Sequence, residues 1–349
     1  MSSLKEHVEK LDCHDEAERI YAAEDIGYLN TPDGIPALLG RLAAEPSRAV
    51  RDAIFQALTR TDGEGVIRGC ISLLGSDDPQ LRNQAVEVLR RKGEASVPFL
   101  AEVMRHGDKD LRKLVLDVLS GMETSAAEGI YAAALQDADS NIVITAVENL
   151  GRTRSAHFRV PIEETLRTAF HPMLVGACLE ALGGIGNELS LPAIRTRFPE
   201  LRGLPGFFLV SCLKAMGSLG AAAEFSEVAA LLPDCYANLR PAILSALTAI
   251  QQRYPEISLA GDLLPTFEGI VNNGDPPLCR YQAVRALGLL FPVHDVTPFL
   301  TSCLTSYERL VRLGAIEALQ AMAPPGLQKV LAARALSESD EDVLQALNC

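Results

Sequence analysis

Nine residues of this chain, VRDAIFQAL (50–58), return as LRNQAVEVL (81–89), LRKLVLDVL (111–119) and IVITAVENL (142–150). With the last apolar residue of each copy as a register mark, equivalents fall at Ile26, Leu58, Leu89, Leu119, Leu150, Leu182, Met216, Leu247, Leu287 and Leu319. The intervals are 32, 31, 30, 31, 32, 34, 31, 40 and 32 residues. A register held over ten copies at this period is the mark of a stacked repeat, because one short unit cannot bury its own apolar face and needs a neighbour to cover it.

Within the nine residues, positions one, five, six and nine are apolar in almost every copy, which is one broad stripe along an α-helix. Position eight is mostly small (Ala57, Ala181, Ala215, Ala246, Ala286, Ala318), so a neighbouring helix can approach closely. A second apolar-periodic segment precedes each stripe, as in GIPALLGRLAAE (34–45) and ASVPFLAEVMRHG (95–107). Each unit therefore reads as a hairpin of two antiparallel helices. The turn inside the hairpin is acidic or proline-bearing, as at Asp77-Asp78-Pro79 and Asp275-Pro276-Pro277, and supplies N-cap acceptors or a preset φ. Gly93, Gly121, Gly151, Gly186 and Gly220 stand near the hairpin ends as stop signals. Two irregularities stand out: QQRYPEISLAGD (251–262) lengthens one interval, and the last unit is shortened into a cap.

The pattern apolar-Arg-x-x-Ala-x-x-Ala-Leu, a turn, x-x-Pro-x-Leu and an acidic turn resembles HEAT repeats, of the short HEAT-like type also found in phycobilisome lyase subunits. AAEDIGYLNTPDGIPALLGRL (22–42) carries the resemblance most cleanly. The resemblance implies an all-α fold: a right-handed α-α superhelix of about eleven HEAT-like hairpins forming a single solenoid. Its divisions would be an N-terminal capping hairpin at about 1–31, repeats over 32–323 and a truncated cap at 324–349. It also implies that the second helix of each hairpin lines the concave surface. For function the repeat says little, since one fold carries many roles.

Composition narrows the field. The 45 Asp and Glu outnumber 32 Lys and Arg, a net charge of −13, and Trp is absent. A duplex-binding surface needs clustered cations, so no nucleic-acid partner is expected. The longest apolar run, FFLVSCLKAMGSLGAAA (207–223), is interrupted by Lys214 and two glycines, so no membrane insertion is expected. The charged amino terminus lacks a secretory apolar core, and the eight cysteines stand singly without C-x-x-C pairs. The expectation is a reduced, cytoplasmic protein.

On the helix wheel, positions two, three and seven fall opposite the stripe. Position two holds Arg51, Arg82, Arg112, Arg240, Arg280 and Arg312. These form either an anion-binding stripe or, as favoured, a structural ladder to the acids of neighbouring turns. The ladder is interrupted by Val143, Val175 and Leu209, with Ile144, Gly176 and Val210 beside them at position three. Such a run is either an exposed apolar patch for a partner or a region buried by tighter curvature. At position seven, Glu87, Asp117, Glu148 and Glu180 form an acidic run that is either a solvated face or an attraction for a basic or amphipathic segment.

No residue pattern announces chemistry. No H-E-x-x-H, Walker loop, G-x-S-x-G or nucleotide-binding glycine motif occurs, and GGIG (183–186) closes a helix instead of opening one. The paired His-Glu dipeptides of deoxyhypusine hydroxylase are missing, and the acidic balance argues against the HEAT-like DNA glycosylases. No catalytic residue, metal ligand or cofactor is expected. The expected function is a protein-interaction scaffold or adaptor that takes a protein or peptide partner in the groove. The alternative is a HEAT-like subunit of a bilin (tetrapyrrole) lyase or another enzyme-accessory role. Self-association, with a second copy in the groove, is a third class.

Overall fold

The computed structural model describes residues 4–122 and 124–347. Among them every regular element is helical, and the chain divides into two compact units, Met1–Leu150 and Gly151–Cys349. In the first unit the helices are α1 (Leu4–Lys10), α2 (Glu16–Leu29), α3 (Ile35–Ala44), α4 (Arg48–Arg60), α5 (Glu64–Leu74), α6 (Pro79–Lys92), α7 (Val97–His106), α8 (Lys109–Ser120), α9 (Glu128–Ala134) and α10 (Ser140–Thr153), whose last turn crosses into the second unit. The second unit continues with α11 (Arg159–Thr168), α12 (Pro172–Ile185), α13 (Leu191–Arg197), α14 (Gly206–Leu219), α15 (Ala222–Ala229), α16 (Arg240–Arg253), α17 (Leu264–Asn272), α18 (Pro277–Leu290), α19 (Val293–Cys303), α20 (Arg309–Met322), α21 (Leu327–Ala335) and α22 (Glu341–Leu347). Paired in order, odd with even, these are the hairpins of an α-solenoid, and every register mark lies on an even-numbered helix.

The turns work as their residues dictate. Asp78 accepts from the Gln80 N–H at 2.8 Å with Pro79 at the first helical position, and Asp108 accepts from the Asp110 and Leu111 N–H groups, both at 2.9 Å. Each satisfies N–H groups that a helix start leaves without intrahelical partners. In the lengthened interval 251–262, α16 ends at Arg253 and a loop over 254–260 leads into the 3-10 turn ahead of α17. The loop's Leu259 is buried and donates its N–H to the Leu290 carbonyl at 2.6 Å.

Core packing follows the stripe: Val50, Ile54 and Leu58 of α4 are inaccessible to solvent, as are Ile243, Leu247 and Ile250 of α16. A glycine just after the register mark lets adjacent even-numbered helices meet nearly backbone to backbone. A Cβ on Gly27 would lie 2.7 Å from the Ala57 Cα, and one on Gly288 would lie 2.8 Å from the Ala318 Cβ.

The cysteines pack as small hydrophobes. Burial pushes the Cys70, Cys178 and Cys212 thiols up to about 12, and those of Cys279 and Cys303 up to about 11. Alkylation of the native protein at pH 8 should therefore be confined, among the described cysteines, to the half-exposed Cys13 and Cys235. Peptide mapping after a short iodoacetamide pulse checks this; native labelling of Cys178 as fast as Cys13 would contradict the packing.

Candidate functional site

The arginines of position two form a ladder with consistent geometry. All but Arg240 reach a backbone carbonyl near the end of the preceding helix or in the turn before their own helix, and most of the six also reach an acid in the next turn. Arg51 donates to the Glu45 carbonyl at 2.6 Å and to Asp78 at 2.9 Å; Arg112 grips Asp137 with two nitrogens, at 2.8 and 3.0 Å. Arg240 pairs with Asp275, Arg280 lies 3.8 Å from Glu308, and Arg312 lies 3.0 Å from Glu338. Arg82 donates to the Ser76 carbonyl at 2.6 Å. Arg19, seven residues before Ile26 and so at the same register position, makes the most buried pair, with Glu45 at 3.0 Å. Sequence reasoning passed over Arg19 although the register pointed to it. These guanidiniums are seated in carbonyls and carboxylates and are not a free anion-binding stripe.

The same geometry corrects the apolar patch. Val143, Ile144, Val175 and Leu209 are all buried, and only Val210 is partly exposed. Within each unit, successive even-numbered helices such as α2, α4 and α6 or α12, α14 and α16 pack on one another, so position two there sits in a seam and not on an open face. Arg280 and Arg312 are themselves at most 9% exposed there. A valine at this position fills the seam that an arginine otherwise fills. Beside it, a Cβ on Gly176 would touch the Phe207 ring at 3.3 Å. Anchoring a partner on Val143, Ile144, Val175 or Leu209 would require opening the stack.

Position seven is the open one. Glu87, Asp117, Glu148 and Glu180 are exposed, and three of them carry cationic neighbours: Arg91 lies 2.9 Å from Glu87, Arg90 lies 3.3 Å from Asp117, and Lys214 lies 3.5 Å from Glu180. Surface pairs of this kind contribute about 0–1 kcal/mol each, and they blunt the negative wall that sequence alone suggests.

What the second unit does offer is a groove of about 720 Å3 across α12, α14 and α16. Gly183, Ala215, Gly217 and Ala246 line it, and Val210 contributes to its wall. The cause is the close helix approach: a Cβ on Gly217 would lie 3.1 Å from the Ala246 Cα, and the side chains that would fill the trough are missing. Its ionisable lining groups are Arg154, Glu180 and Lys214, with Lys214 3.5 Å from Glu180. Among the described residues no three His, Cys, Asp or Glu side chains come together as metal ligands, and no helix is long and apolar enough to cross a membrane.

Stacked hairpins with a capped acidic turn, an arginine ladder and a groove on the second helices define an α-solenoid of the HEAT class. Residues 4–90 and 264–348 match the family model for HEAT repeats. The bilin biosynthesis protein PecE of Mastigocladus laminosus is 34% identical over 71 residues, which is 20% of this chain and 26% of that protein. Among solved structures, a chain from the complex in which Kap95p binding induces the switch loops of RanGDP to adopt the GTP-bound conformation aligns with 99% of this chain at a TM-score of 0.64 and 14% identity. Importin beta aligns with 99% at 0.59 and 14%, and Kap121p bound to Pho4p with 99% at 0.55 and 14%. This chain spans 56%, 56% and 45% of those three. At such identity the likeness is one of fold.

Proposed function

We propose that this chain is a non-catalytic interaction scaffold that works as one repeat array over 1–349 in the cytoplasm. It receives a helical or extended segment of a protein partner on the second helices of the second unit. The observation that carries the reading is the groove across α12, α14 and α16, where small side chains on three successive helices leave room for a partner's own side chains. The solved neighbours support the same kind of use, since Kap121p is seen bound to Pho4p on a related stack.

Filling the groove tests it. Ser218 and Ser245 line the groove and are exposed, so Ser218→Trp with Ser245→Trp should leave helix content unchanged. The double variant should weaken recovery of native partners by roughly tenfold or more in quantitative affinity capture, the scale at which blocking a central contact acts. Equal recovery of the same partners by wild type and variant would remove the groove from the argument.

The match to PecE favours a second reading, an accessory role toward a bilin or similar flat apolar ligand. A red-shifted or sharpened visible band on mixing a free bilin with the protein, lost in the tryptophan variant, would move the assignment there.

A further inference from the structure

The turn edge of the second unit carries a row of exposed apolar side chains with the period of the repeat. At the residue just before position one, the first unit has Ala49, Gln80, Asp110 and Asn141, while the second has Met173, Phe207, Asn238, Leu278 and Leu310. Met173, Phe207 and Leu278 are 60%, 53% and 62% exposed; Phe170, Tyr236 and Tyr307, in the turns just ahead, are 92%, 81% and 85% exposed. Two of these rings are held in place. Phe207 packs on α12 at Gly176, and the Tyr307 hydroxyl accepts from Arg280 at 3.2 Å. Phe170 and Tyr236 stand exposed in their turns, and at the residue before position one three of the four first-unit copies are polar.

We infer that this edge is the contact between two copies of the chain. Three observations select that occupant. At ~200 Å2 per aromatic side chain, the four exposed rings offer on the order of 600 Å2, near the ~800 Å2 that each partner commits to a stable interface. The charge is also placed to permit it: residues 151–349 carry 16 Lys and Arg against 19 Asp and Glu, whereas residues 1–150 carry 16 against 26. Pairing through the second unit brings nearly neutral surfaces together and keeps the acidic half out of the contact. The flanking charges are already paired, Arg202 with Asp234 at 3.0 Å and Arg309 with Asp342 at 2.6 Å, so no cationic excess draws an anionic membrane.

Period is the third. Successive even-numbered helices lie ~10 Å apart, and a second copy presents apolar tips at that same spacing. A two-fold, antiparallel arrangement matches the row with itself. Tyr236 lies at the axis, Phe207 faces Leu278, and Phe170 with Met173 faces Tyr307.

Light scattering on the full chain tests this. The expected mass is twice the 37.5 kDa of one chain. Phe170→Ser with Tyr236→Ser changes only exposed side chains and should raise the dimer dissociation constant by roughly 100-fold or more, with unchanged circular dichroism. Phe207→Lys and Leu278→Glu should each give monomers alone and restore a dimer when mixed. A wild-type chain that stays monomeric to ~100 µM overturns the inference. So does a dimer indifferent to the Phe170/Tyr236 change, or wild-type monomer that pellets with phosphatidylcholine vesicles. The groove variant of the preceding section leaves this edge intact, so the two tests fail independently.

Discussion

Replacing Glu45 with Ala will cost the first unit about 3–5 kcal/mol, the scale of breaking a buried ion pair from one side. Glu45 is 1% exposed and accepts from Arg19 Nε at 3.0 Å, Arg19 Nη2 at 3.1 Å, Arg41 Nε at 2.8 Å and the Ser47 N–H at 2.9 Å. Its removal strands the Arg19 guanidinium, itself 7% exposed, with only the Cys13 and His14 carbonyls as partners. Burial alone would raise the Glu45 pKa; the hydrogen bonds from Arg19, Ser47 and Arg41 reverse this and leave it below the ordinary glutamate value. A depressed folded pKa means the contribution is complete above the unfolded value, about 4.3, and disappears as pH falls through the folded one. Asp139, brought down to about 2 first by Lys109 and also by the Asn141 N–H, behaves in the same sense. Urea midpoints for wild type and Glu45→Ala should thus differ widely at pH 7 and converge below pH ~4. A constant gap across that range would show that packing, and not the ion pair, supplies the stability.

How far the sequence speaks depends on which physical rule governs each residue. Register, hairpins and capped turns were legible because helix periodicity and turn chemistry act locally, and an acid ahead of an apolar helix caps it whatever lies elsewhere. The ladder was legible for the same reason, as Arg51 and Arg112 each stand about one repeat ahead of a turn acid, 27 residues before Asp78 and 25 before Asp137. The exposed patch misled because a wheel sees one helix. Val143 and Val175 lie away from the stripe on the wheel and are still buried; at Val175 the seam is closed by α14 of the next repeat, a contact over thirty residues away that periodicity does not encode. The groove was half legible. The small residues at position eight imply close approach from sequence alone, but that the glycines after the mark and those alanines also leave a trough appears only when three helices stand together. Phe170, Tyr236 and Tyr307 were in plain view as aromatics in turns. A turn residue announces nothing until its neighbours leave it uncovered.

The glycine contacts yield the other large effect, and in a direction opposite to helix propensity. Gly288 is inside α18, where Ala should be better by about 1 kcal/mol on propensity alone. A Cβ there would lie 2.8 Å from the Ala318 Cβ, 3.1 Å from its Cα and 3.3 Å from its carbonyl oxygen. Backbone cannot rotate out of the way as a side chain can, so α18 and α20 must separate and loosen the seam that holds Arg280 and Glu308. Overpacking of this kind costs about 1–3 kcal/mol for a modest insertion, and the branched Gly288→Val should lie at or beyond the top of that range. Gly40 is the matching control, exposed within α3 with nothing inside 4 Å of its would-be Cβ. Gly40→Ala should stabilise by about 0.5–1 kcal/mol, whereas Gly288→Ala destabilises, both read as shifts in urea midpoint. Gain at both sites would mean that the helices do not approach as closely as these distances require. The groove would then lose its explanation too, because Gly217 meets Ala246 by the same geometry.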